Sequence, residues 1–199
     1  MAESRTVFLD IGGVVLTNGW DTPAREKAAK HFDLDFAVMN HLHSFIFNVY
    51  EIGKITLDQY LDTIVFTQPR KFTHKEFKQF MMEQSEELPG MIPWLSAWKK
   101  KTYNRVISIN NEGREMNDYR IEKFGLKNCF DAFVSSCEVG MRKPDPGIFQ
   151  LALGLAHTKA EDCIYFDDRA MLVDAAKTLR IPAYQHESFE KTKAILEKL

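Results

Sequence analysis

The sequence predicts an α/β protein, a doubly wound, Rossmann-like parallel sheet with an α-helical segment inserted into it. Three observations carry that expectation. Short β-branched and apolar runs alternate with longer amphipathic stretches, the pattern of strands joined by crossover helices. Residues 18–93 hold helical patterns and no convincing strand. The strand-like runs also end in residues that carry chemistry: Asp10, Asn110-Asn111 and Asp167-Asp168.

The elements follow in order. Residues 6–11 form a buried-strand run closed by the flexible pair Gly12-Gly13. Similar runs cover 105–109, 132–135, 163–166 and 181–185. Between them, 114–124 reads as a helix stopped at Gly125. Asp145 caps a helix over 146–156 with Pro146 in its first turn. Residues 169–179 and 188–199 complete the helical set.

Within the insertion, Thr22 is expected to cap a first helix and Pro23 to open it. Residues 35–50 give a second, Thr56 caps a third, and Thr73 caps a fourth running to about Glu87. Leu88-Pro89-Gly90 then breaks the chain. The expected division is a discontinuous α/β core, 1–17 with 94–199, and a helical cap, 18–93.

Composition narrows the function classes. A chain of 199 residues can bury one core and carry an insertion. Its 45% hydrophobic share is that of a globular protein. A net charge of -2 argues against nucleic acid or an anionic membrane as partner. No apolar run approaches the ~20 residues of a membrane span, and the N-terminus lacks a signal peptide's apolar segment. Cys129, Cys137 and Cys163 show no metal-ligand spacing, as expected of reduced thiols in a cytoplasmic protein. The sequence carries no signature of a particular oligomeric state.

In an open parallel sheet, ligands gather at the carboxyl ends of the strands. There Asp10, Asp167 and Asp168 would converge with Lys143, which follows the third strand. Taken singly, each Asp has an ordinary structural explanation as a turn or cap residue. Their order on successive strand ends points instead to one site. Three close carboxylates repel one another and retain protons unless cations compensate. Lys143 and a divalent ion supply that charge, and oxygen-only ligation favours Mg²⁺.

The set Phe8-Leu9-Asp10-Ile11-Gly12-Gly13-Val14-Val15, Ile109-Asn110-Asn111, Arg142-Lys143-Pro144-Asp145 and Tyr165-Phe166-Asp167-Asp168-Arg169 resembles the four signature motifs of the haloacid-dehalogenase superfamily. It is most similar to the branch of sugar-1-phosphate phosphatases and of the phosphatase domain of soluble epoxide hydrolases. In that branch the lid carries a turn like Glu51-Ile52-Gly53-Lys54-Ile55-Thr56. The resemblance implies a Mg²⁺-dependent phosphatase acting on a small phosphorylated metabolite. It implies that Asp10 attacks phosphorus and forms an aspartyl-phosphate while binding the metal. The Gly12 carbonyl and Asp168 would also bind the metal, Asp167 through water. Lys143 would neutralise nucleophile and phosphoryl oxygens, and Asn110 and Asn111 would meet the phosphoryl group.

Three positions depart from that pattern. Gly12 stands where the family usually has a second Asp, the general acid and base, whose help is typically worth about 10²–10⁴ in rate. Asn110 replaces a Ser or Thr, and its NH₂ is also a donor. Leu172 replaces a further Asp four residues beyond Asp168. The expected consequence is a preference for good leaving groups, such as sugar 1-phosphates or acyl phosphates, or an acid borrowed from substrate or cap. His41 and His43 are the nearest cap candidates, and Trp20, Phe45, Phe47 and Tyr50 are candidate pocket aromatics. Two other readings stay open. One is a metal-independent 2-haloacid dehalogenase, although Asp167-Asp168 would then place needless negative charge beside an anionic substrate. The other is a catalytically weak phosphate-binding or regulatory protein that keeps the metal residues.

Overall fold

A computed structural model describes residues 5–199. Five strands, β1 (Thr6–Leu9), β2 (Arg105–Asn110), β3 (Ala132–Ser135), β4 (Cys163–Asp167) and β5 (Ala183–Gln185), form one sheet. The order across it is β3-β2-β1-β4-β5, and every neighbouring pair is parallel. The chain builds outward from β1 to β3, then returns past β1 to add β4 and β5. The switch point therefore lies between β1 and β4, where Asp10 and Asp167 emerge. β5 starts two residues later than its apolar run because Pro182 has no N–H for the ladder; its carbonyl accepts from Tyr165 instead.

Both faces of the sheet are covered, as a parallel sheet requires. Alternation within β1 sends Val7 and Leu9 to one face and Phe8 to the other. The first face packs on α5 (Met91–Thr102), α6 (Arg114–Lys123) and α10 (Phe189–Leu196). The second packs on α8 (Pro146–Leu155) and α9 (Ala170–Thr178). A four-residue turn of helix, α7 (Ser136–Val139), follows β3. The sequence reading has no helix at α5, whose Pro93 sits in the first turn, where a missing N–H is harmless. Its Met91, Leu95 and Trp98 are buried against the sheet's first face.

The insertion is four helices with their own apolar cluster: α1 (Thr22–His31), α2 (Phe36–Glu51), α3 (Leu57–Ile64) and α4 (His74–Glu83). Thr56 and Thr73 cap as expected, each in a reciprocal box with Gln59 and Glu76. Thr22 does not cap α1. Asp21 does, its Oδ1 accepting from Ala24 N at 3.0 Å, while the Thr22 hydroxyl accepts from Arg25. The two connections between insertion and sheet run side by side, tied by Thr17 N to Glu86 O and by Leu88 N to Val15 O. This pairing ends α4 before residue 87. No helix among the described residues is long and apolar enough to cross a membrane. Cys129, Cys137 and Cys163 are buried free thiols.

Candidate active site

Strand β1 is wholly buried, so the chain leaving it at Asp10 delivers that carboxylate to the sheet edge with little freedom. Asp10 is 8% exposed, and its Oδ1 accepts from Ile11 N at 2.8 Å. Strand β4 delivers Asp167 beside it, 0% exposed. Lys143, 1% exposed, sits between them with Nζ 3.1 Å from Asp10 Oδ1 and 2.7 Å from Asp167 Oδ2. Tyr165 also reaches this centre: Lys143 Nζ donates to its hydroxyl at 3.1 Å, and that hydroxyl donates to Asp167 Oδ2.

One carboxylate oxygen from each of Asp10, Asp167 and Asp168 lies within 4.8 Å of the other two. Burial pushes the Asp10 carboxyl above its usual range, and the Asp167 charge adds to that, against the pull of Lys143. Burial acts the same way on Asp167. There Lys143, the Tyr165 hydroxyl and the Arg169 N–H overcome it and hold the group below the usual range. Lys143 stands closer to Asp167 than to Asp10, at 2.7 against 3.1 Å.

The cluster fits a hard divalent cation. Asp168 Oδ2 accepts from Asn18 Nδ2 at 3.1 Å, but its Oδ1 is buried with no hydrogen-bond partner. Such an oxygen is costly unless something positive meets it. Gly13, at φ +69°, leaves room for this carboxylate; a Cβ there would come within 2.2 Å of Asp168 Oδ2. The donors are all oxygens, the set Mg²⁺ prefers.

Asn110, which ends β2, and Asn111, which follows it, have separate structural roles. Asn110 Oδ1 accepts from Ser108 and Ser135, and Nδ2 donates to Asn117 Oδ1 at 3.2 Å. Asn111 spends both ends of its amide on the Lys143 main chain, at 2.8 and 2.9 Å. It fixes the lysine's backbone, a role the strand-end pattern did not reveal.

These residues open onto a cavity of about 280 Å³ that the insertion helps to wall. Asp10, Gly12, Asn110, Asn111, Lys143 and Leu172 line it. From the insertion side come Trp20, Arg25, His43, Phe47 and Glu51. Among the aromatic candidates, Phe45 is 79% exposed and Tyr50 is buried in the helical cluster, so neither lines the cavity. His41 is exposed and outside it. His43 is buried, and burial aided by Arg25 lowers its pKa to about 4, which keeps it neutral and unfit as an acid at pH 7.

Asn18, Arg25 and Arg120 carry no motif signal, while Glu51 and Arg142 lie in quoted motifs with no role assigned there. Glu51 pairs with Arg142 at 2.7 Å, and burial still pushes its carboxyl up to about 7. Arg120 makes a buried pair with Glu112 and donates to the Thr17 carbonyl. Asn18 occupies the space beside Gly12, its Oδ1 2.9 Å from where a Cβ on that glycine would stand.

The family model for haloacid dehalogenase-like hydrolases matches residues 5–179. The chain is 31% identical over 131 residues to a phosphorylated carbohydrates phosphatase of Thermotoga maritima, covering 64% of this chain and 60% of that protein. It is 22% identical over 205 residues to a D-ribitol-5-phosphate phosphatase of Bacteroides thetaiotaomicron, covering 92% of each. It spans less than two thirds of several other curated relatives, 32% and 19% of their lengths in two cases. The fold is similar to that of a HAD family enzyme, bt-2542 of Bacteroides thetaiotaomicron, solved with magnesium and inorganic phosphate. The TM-score is 0.78 at 20% identity, over 96% of this chain and 99% of that one.

Proposed function

This chain belongs to the haloacid dehalogenase-like hydrolases, and on that footing we propose that it is a Mg²⁺-dependent phosphatase of a small phosphorylated metabolite. The observation that carries the reading is the cluster of Asp10, Asp167 and Asp168 around buried Lys143, with Asp168 Oδ1 left unpartnered. Asp10, the Gly12 carbonyl and Asp168 would hold the ion. Asp167, whose oxygens already accept from Lys143, Tyr165 and Arg169, would reach it through water. When bound, the ion supplies positive charge for the phosphoryl oxygens.

The chain's own residues do the rest. An Asp10 oxygen attacks phosphorus, the ester P–O bond breaks, and the leaving group departs with that bond's electron pair. Water then hydrolyses the aspartyl-phosphate, returning Asp10 and releasing phosphate. Lys143 holds Asp10 oriented and offsets charge. Asn110 keeps a second amide hydrogen for a phosphoryl oxygen, and Asn111 holds Lys143 in place. Residues 18–93 act as a cap over the core formed by 1–17 and 94–199, closing the cavity and setting specificity.

Gly12 transfers no proton, so leaving groups that depart without an acid are favoured. Phosphoanhydride-like acyl phosphates and sugar 1-phosphates meet that condition. The test is a phosphatase assay across aryl, acyl and alkyl phosphates with Mg²⁺ and with chelator, and with Asp10→Asn as control. The expectation is turnover that needs Mg²⁺, vanishes in the variant, and falls from acyl to alkyl esters. Turnover unchanged by Asp10→Asn removes Asp10 from the mechanism. Equal aryl and alkyl rates sink the leaving-group idea. Chloride release from a 2-haloacid in the presence of chelator would replace the phosphatase reading with dehalogenation.

A further inference from the structure

Three side chains of the insertion form a hydrogen-bonded chain that ends at the cavity. Trp20 Nε1 donates to the Tyr60 hydroxyl at 2.9 Å, and that hydroxyl lies 2.7 Å from His43 Nδ1. An indole N–H only donates, so the Tyr60 oxygen accepts there. Tyr60 is fully buried, and Nδ1 of His43 is the acceptor within reach of its hydrogen. Nδ1 is therefore the accepting nitrogen, and in a neutral imidazole the proton must sit on Nε2. Phe47, with its ring centroid 4.4 Å from that of His43, supports the imidazole from the side.

Neighbouring charged groups on this wall already have partners. Arg25 donates to Asn40 at 3.0 Å, to the Trp20 carbonyl at 2.7 Å and to the Thr22 hydroxyl at 3.1 Å. Asp21 caps α1, and Glu51 is paired with Arg142. Among the described residues His43 Nε2 has no hydrogen-bond partner, and it is not sealed from solvent. It is a neutral N–H of the wall that no protein group accepts from. Its ring lines the same cavity as Asp10.

We propose that His43, through Nε2–H, donates to a hydroxyl oxygen on the leaving group, so that the site selects hydroxylated phosphate esters. A neutral donor suits a neutral oxygen, while the phosphoryl charge is met by Lys143. Trp20 and Tyr60 are positioning residues that fix the tautomer. The assignment rests on the phosphatase reading for its substrate and on the hydrogen-bond chain for its donor.

The experiment uses Asp10→Asn protein with isotope-labelled histidine, so that an ester binds without turnover. Nitrogen NMR at neutral pH is expected to show His43 as the neutral, Nε2-protonated tautomer. With Mg²⁺ present, its Nε2 resonance should move when β-glycerophosphate saturates the site and stay still with inorganic phosphate. In the active enzyme, His43→Phe should raise KM for β-glycerophosphate roughly five- to tenfold, the worth of one neutral hydrogen bond. His43→Gln, which keeps an N–H near Nε2, should restore most of that loss, and kcat should change less than KM. Tyr60→Phe should turn the single tautomer into a mixture while circular dichroism is unchanged. An Nδ1-protonated or cationic ring at neutral pH overturns the proposal. Ester binding by calorimetry with an unmoved Nε2 resonance overturns it alone, with the phosphatase reading intact. No binding of any ester overturns both.

Discussion

The sheet edge and the helical wall meet at one cavity but are held together by opposite means. At the edge, three carboxylates face one buried ammonium, and one carboxylate oxygen lacks any partner. At the wall, Trp20, Tyr60 and His43 are linked by neutral hydrogen bonds, and Arg25 has a partner for each nitrogen. The edge is two positive charges short of balance, the charge of one divalent ion. On the wall, His43 Nε2 is left as a neutral donor without a protein partner. In the phosphatase reading, the unbalanced charge is where a metal would sit, and the free donor is where a substrate hydroxyl would be read.

The largest expected break in this contrast is Lys143→Met. It leaves Asp10 and Asp167 buried without their ammonium, and losing one partner of a buried pair typically costs about 3–5 kcal/mol. Urea denaturation should show that loss, with Mg²⁺ recovering part of it, and phosphatase activity should disappear. Stability equal to the parent protein would mean that the edge is not charge-frustrated.

The missing acid offers the next lever. A Cβ at Gly12 would stand only 2.9 Å from Asn18 Oδ1, so at saturating Mg²⁺ Gly12→Asp with Asn18→Ala should outperform Gly12→Asp alone. The double variant should raise kcat on β-glycerophosphate by about 10² or more, the lower end for general acid–base help. An unchanged alkyl-ester rate would show that proton transfer is not what limits this enzyme.

Asn18 alone should act more gently. Its Nδ2 donates to Asp168 Oδ2, and removing an outer partner of a metal ligand typically weakens metal affinity by 10–100-fold. Asn18→Ala should therefore raise the Mg²⁺ concentration needed for half-maximal activity or thermal protection.

The smallest effect tests the wall. His43 is held at about 4 in the folded protein, against 6.5 when free. The unfolded chain then binds a proton that the folded one refuses between those values. Stability from this group is fully present above pH 6.5 and is lost as pH falls toward 4. His43→Gln should reduce the acid-side slope of unfolding free energy by up to one proton in that window. A slope identical to the parent's would mean that burial does not hold His43 neutral in this window.

Much of this was legible in the chain itself. Strand runs such as 132–135 and caps such as Thr56, Thr73 and Asp145 are local, set by side chains within a few residues of one another. The parallel α/β class follows from alternation, and the carboxylates of the edge were found because sheet topology sends strand ends to one place. Where propensity was overruled, a neighbour did it: Asp21 took the cap from Thr22, and pairing with residues 15–17 stopped α4 short.

The sequence by itself determined the class of fold, the family and the carboxylates that gather at the sheet edge, because each is written in short-range pattern. Only the tertiary structure decided that Asn111 serves Lys143, that Asn18 fills the space beside Gly12, and that His43 rather than His41 meets the cavity. Most of the contacts that build the site join residues far apart in the chain, such as Asn111 with Lys143, Asn18 with Asp168 and His43 with Tyr60. Side-chain direction across such gaps is set by packing between elements, and spacing along the chain does not encode it.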